Sequence, residues 1–248
     1  LDREEVGLVR VERADLQVAT LRARAKAQFP SVLLTLTSII QAIALESLWS
    51  RFSELAEPDG FLAIPVEAWL QSGAMLLAIM VLWIYYAQLV MRLVWVPRLA
   101  DSLIPFALGV AQFLEIDTLG REDVALWLAP FPVIFLLCFA GWNLTIARAG
   151  DESENADLMA TFRPENGLVR YGPMLGSVVF LMLLAACVWR WPGSSTAALI
   201  SLDLLLVLHL WLQGRYWRES VLRPNNGGRA DREPSPPTDS PAQDVSNH

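Results

Sequence analysis

Six apolar runs, each long enough to cross a bilayer, restrict this chain to one class of fold. They lie at about residues 29–49, 66–96, 101–119, 124–147, 172–191 and 195–217. A helix rises about 1.5 Å per residue, and about 20 apolar residues cover the ~30 Å hydrocarbon layer. Lipid offers no partner for a free N–H or C=O, so such runs must be helices that satisfy their own backbone. The prediction is an all-α, polytopic membrane protein with six transmembrane helices over residues 29–218. Composition agrees. Only 18% of residues are charged, below the roughly 25% of soluble domains.

The segments outside the spans differ in kind. Residues 1–28 are Arg-rich, with Val11, Ala14, Val18, Leu21 and Ala25 at helical spacing. The expectation is a cytoplasmic helical arm leading into the first span, with an amphipathic helix on the membrane surface as the alternative. The first apolar run is long and preceded by a charged segment, so it is expected to stay in place rather than be removed as a signal sequence. Pro130 and Pro132 fall in the first half of the fourth run and predict a kink or a late helix start there. Residues 219–248 are rich in Pro, Ser, Asn and Asp and are expected to form a disordered cytoplasmic tail.

Charge asymmetry sets the expected orientation. Of 19 Lys and Arg residues, only Arg51, Arg121 and Arg190 fall in the connections of one side, and the other sixteen lie on the other. The excess marks the cytoplasmic side and puts both termini there, in a cell (inner) membrane. Trp49, Trp69, Trp127, Trp189 and Trp191 then sit at the outer level, and Trp95, Trp142, Trp211 and Trp217 at the inner one, as interfacial belts would. One Lys against 18 Arg, with much Ala and Leu, fits a bacterial source rich in G and C. A net charge of −7 argues against nucleic-acid binding, which needs a basic surface.

Polar residues inside the spans carry what chemistry there is. In the third span Asp101, Pro105, Leu108, Gln112 and Glu115 recur at spacings of 4, 3, 4 and 3 and share one helix face. A stripe of acid and amide is costly in lipid, so this face should meet other helices. Glu46 in the first span and Asp203 in the sixth fall at a similar outer depth to Glu115, with Gln41 and Gln112 one turn below. These five are the candidate ion or proton site, and Arg190 is the basic residue expected at their level. An inner polar set comprises Arg92, Asp101, Asn143 and His209. Asp101 is expected as the N-cap of the third span and as an ion-pair partner of Arg92. Gly172 and Gly176 form a GxxxG pair suited to close helix packing and to a homo-oligomer.

The sequence holds no HExxH, GxSxG, P-loop, CxxC or CxxCH. With one Lys and two His, no Ser is expected beside a base within a span. No cofactor or metal site is expected, and Cys138 and Cys187 read as small buried apolar residues. Two functional classes follow. One is a channel or transporter with an outer-half carboxylate site for a cation or proton. The other is a non-catalytic accessory or assembly subunit whose arm or tail binds a protein partner. A membrane-embedded enzyme of another type ranks third. The lipid bilayer is the one partner common to all three.

Overall fold

A computed structural model describes residues 3–57, 60–161 and 167–218, with side chains from residue 15 onward except 161–170. The segment expected to be a disordered tail, 219–248, lies outside the described residues. The chain is all-α, with six helical stretches long and apolar enough to cross a membrane. They are carried by α1 (Arg3–Ala56), α2 (Val66–Arg92), α3 (Leu99–Asp117), α4 (Val124–Leu128) with α5 (Phe131–Ala149), α7 (Gly167–Arg190) and α8 (Ser195–Trp217); α6 (Ala156–Thr161) is a short connector.

Apolar side chains fill the core and also cover much of the outer surface. Between 22% and 44% of the most apolar window of each span is buried, so most of its apolar surface faces outward. Leu114, Leu183 and Leu204 are exposed, whereas Gln41, Gln71, Gln112 and Glu115 are buried. Apolar side chains outside and amides inside are the arrangement lipid imposes. The chain is a multi-pass membrane protein.

Local sequence explains the helix ends. Arg3–Ala56 is one helix of 54 residues, about 80 Å long, so its first half reaches some 40 Å beyond a ~30 Å core. The arm and the first span are therefore one element. α2 ends at Arg92 rather than at residue 96, and 93–98 runs on without helix as Pro97 approaches. The fourth run is divided where its prolines predict. α4 stops at Leu128, a turn covers Ala129 and Pro130, and α5 starts at Phe131 with Pro132 in its first turn.

α1 packs along α2 and α3, and α5 lies between α3 and α7. The end of the bundle bearing the arm is called proximal and the opposite end distal. At the proximal end Asn155 clamps the segment after α2. Its Oδ1 accepts from the Val94 N–H at 3.0 Å, and its Nδ2 donates to the Val94 and Ala149 carbonyls. Glu152 accepts from Lys26 at 2.5 Å and Arg22 at 2.8 Å, joining the arm to the segment after α5. The hydrogen bonds from Lys26 and then Arg22 hold the Glu152 carboxyl below its usual range. The clasp therefore exists above that range and is lost as pH falls through the lowered value.

Two of the expected belt tryptophans are core residues instead. Trp95 and Trp127 are buried, and their indole N–H groups donate to Asp101 and to the Glu115 carbonyl. Trp49, Trp189 and Trp191 are exposed, as interfacial residues would be.

Candidate functional site

The α3 stripe determines the site. Asp101, Pro105, Leu108, Gln112 and Glu115 are all buried, so the face with 4, 3, 4, 3 spacing turns inward along its length. α1 can lie close to it because Gly109 has no side chain. A Cβ there would sit 2.6 Å from Ile40 Cγ2. That approach brings Gln41 against Gln112. Gln41 Nε2 donates to Gln112 Oε1 at 3.0 Å, and Gln112 Nε2 donates back to Gln41 Oε1 at 3.3 Å. The reciprocal pair satisfies a donor and an acceptor on each amide, which a span interior requires.

Glu115 lies one turn distal of this pair. It is 1% exposed, and neither carboxyl oxygen has a hydrogen-bond partner among the described residues. Ile116, next to it in the chain, belongs to the distal apolar cluster, which also includes Ala44 and Leu48 of α1, Met75 of α2 and Trp127 of α4. The Glu115 backbone carbonyl accepts from Trp127 Nε1 at 3.2 Å and from Thr118 Oγ1 at 3.0 Å, which fixes the turn that carries the side chain.

Gln71 of α2 is a further buried amide, near the distal end, that the sequence reading did not single out. Its Oε1 accepts from the Gly120 N–H at 2.9 Å while its Nε2 has no partner among the described residues. The signal was available: Gln71 is an amide in the second turn of α2, inside an apolar run where it needs a partner.

The other expected members of the site do not gather with Glu115. Glu46 is exposed on the outer face of α1. Asp203 of α8 is half-buried with its carboxyl against Gly73 of α2, where a Cβ would lie 3.8 Å from Oδ2, and its Oδ1 has no partner among the described residues. Glu67 and Thr196 join the same two helices nearer the distal end at 2.7 Å. Nor is Arg190 the cation at this level, for it lies over the Trp191 ring at 5.5 Å. Arg51 approaches the site instead. It donates to the Leu119 carbonyl at 3.4 Å and pairs with Glu54 at 2.9 Å.

The proximal polar residues do structural work. Asp101 is not the N-cap of α3, which starts at Leu99. From its third position Oδ2 accepts from the Arg98 N–H at 2.7 Å and from Trp95 Nε1 at 3.3 Å. Its Oδ1 pairs with Arg148 of α5, so the expected ion pair with Arg92 is replaced by one across α3 and α5. Arg92 forms the last turn of α2. Tyr85, Tyr86, Trp95, Asp101 and Thr145 line a small cavity beside this pair. Asn143 donates to the Phe139 carbonyl of its own helix at 2.9 Å.

One expectation about catalysis is overturned. Ser177 of α7 lies 3.0 Å from His209 Nε2 of α8, so a Ser and a His do meet within the spans. The Ser177 hydroxyl donates its one hydrogen to the Pro173 carbonyl at 2.9 Å. The imidazole is then the donor to Oγ, and the pair is an interhelical hydrogen bond rather than a base drawing a proton from a nucleophile. Gly172 and Gly176 are open, with nothing within 4 Å of a Cβ at either position.

Set against protein-family models, curated proteins and solved structures, the chain matches none.

Proposed function

We propose that the chain is a channel or transporter of a bacterial inner membrane, with both termini cytoplasmic, holding a cation or proton at Glu115. The orientation rests on the sixteen Lys and Arg residues of the proximal connections, arm and tail against three at the distal turns. Glu115 carries the functional reading. A buried acid with neither oxygen partnered among the described residues costs stability, a cost that a transport role would explain. Ionisable residues inside spans mark ion and proton pathways, and the amide pair below Glu115 extends this polar strip toward the proximal end.

Reconstituted flux of protons and monovalent cations tests the proposal. Glu115→Gln, close in size and neutral, should reduce flux at least about tenfold, while Glu46→Gln on the outer face should leave it near wild type. Equal flux through wild type and Glu115→Gln would sink the transport reading.

A second reading, a non-catalytic accessory or assembly subunit, draws on the arm. Leu16, Val18 and Leu21 are each more than 60% exposed on a helix that reaches well past the bilayer, a surface suited to a protein partner. Under that reading Glu115→Gln changes stability and no flux accompanies either protein.

A further inference from the structure

We infer that the species held at Glu115 is a proton and not a metal cation, an inference that rests on the transport reading above. The oxygen supply around the carboxyl decides between them. Hard cations take about six oxygen ligands. Here Gln41 and Gln112 direct their oxygens at each other's amide nitrogens. The Gln71 oxygen is held by the Gly120 N–H. The Glu115 carbonyl already accepts from both Trp127 and Thr118. Each of those Gln oxygens is oriented on an N–H and keeps one lone pair at most, and among the described residues no three His, Cys, Asp or Glu side chains gather as a metal site would need. A proton needs one carboxyl oxygen and no further ligand.

The charged groups around Glu115 do not replace that proton. On α1, Arg51 is engaged by Glu54 and the Leu119 carbonyl, and Glu46 faces away. On α3, Asp117 pairs with Arg121 at 3.7 Å. The α4 sequence VALWL has no titratable side chain, and on α8 Asp203 lies against Gly73. No side chain among the described residues donates a hydrogen bond to either carboxyl oxygen. The cycle balances simply. A hydronium ion at the distal face gives its proton to a carboxylate oxygen, leaving water and a neutral carboxyl, and release returns the proton to water.

The test uses the full chain in lipid vesicles and dicyclohexylcarbodiimide, which adds to the protonated form of a carboxyl in apolar surroundings and is located by peptide mass. Glu115 should be labelled, with the yield changing less than about twofold when sodium, potassium or calcium chloride is added. Protection of about tenfold by any of these ions would overturn the proton assignment, since a metal would then compete for the same oxygens. Failure to label Glu115 at any pH would overturn it too. Flux under a pH gradient in N-methylglucamine buffer, free of metal ions, should match flux in sodium or potassium buffer. Flux that needs a metal ion contradicts the proton and leaves the transport reading standing, whereas no flux in any buffer contradicts both.

Discussion

Arg148→Ala should destabilise the protein by about 3–5 kcal/mol, because it leaves a buried carboxylate without its cation. Arg148 and Asp101 side chains are 13% and 4% exposed, and their ion pair ties α5 to the start of α3. Asp101 cannot turn to water for compensation, since its other oxygen is fixed by the Arg98 N–H and the Trp95 indole. The measurement is thermal or denaturant unfolding in detergent or lipid discs. Asp101→Asn in the Arg148→Ala background should recover part of the loss, because Asn keeps an acceptor for the two N–H donors and removes the unpaired charge. A double variant no better than Arg148→Ala would show that the pair contributes through packing alone.

Gly109→Ala should cost about 1–3 kcal/mol, the usual range for overfilling a packed interior. Its new methyl would meet Ile40 Cγ2 at 2.6 Å, closer than carbon atoms tolerate, so α1 and α3 must move apart. The reciprocal Gln41–Gln112 bonds lie one residue along α1 and three along α3, and they should lengthen or break. Ile40→Ala removes the obstructing carbon. The double variant should therefore be less destabilised than the sum of the two single ones, as expected for residues in direct contact. Strict additivity would mean that this close approach does not control the spacing of the helices.

The fold was largely legible because lipid leaves few alternatives. Apolar runs of sufficient length must be helices, and Pro130 and Pro132 announce the break between α4 and α5. The inward face of α3 could also be read from spacing, since an acid and an amide on one stripe have few tolerable places to point. Angle around α1 was the neglected quantity. Glu46 follows Gln41 by five residues, which places it about 140° away around the helix at roughly 100° per residue. Both could not face α3, and Gln41 does. Depth alone had grouped them.

Partners across the bundle were less accessible. Asp101 pairs with Arg148, 47 residues away, rather than with Arg92 just before the same turn. Helices α3 and α5 pack together, and no spacing rule within one helix announces that. Ser177 and His209 meet for the same reason, across α7 and α8. Gln71 lies on α2, outside the spacing pattern of the α3 stripe, yet an amide inside a span needs a partner as firmly as Gln41 and Gln112 do.

A transport site at Glu115, which is 1% exposed in this structure, requires that its carboxyl become accessible to water from the distal, outer side during the cycle. A membrane-impermeant thiol reagent, added outside to intact cells, tests it most directly. The chain would carry Glu115→Cys in a background with Cys138 and Cys187 replaced by Ala. Gly193→Cys at the α7–α8 turn would mark the outer side, and Ser153→Cys the inner. The account predicts modification at 193 and at 115, with 153 protected until the membrane is opened. Modification at 193 with 115 unreactive from either side would contradict a water-accessible site, and modification at 153 from outside would reverse the assigned orientation.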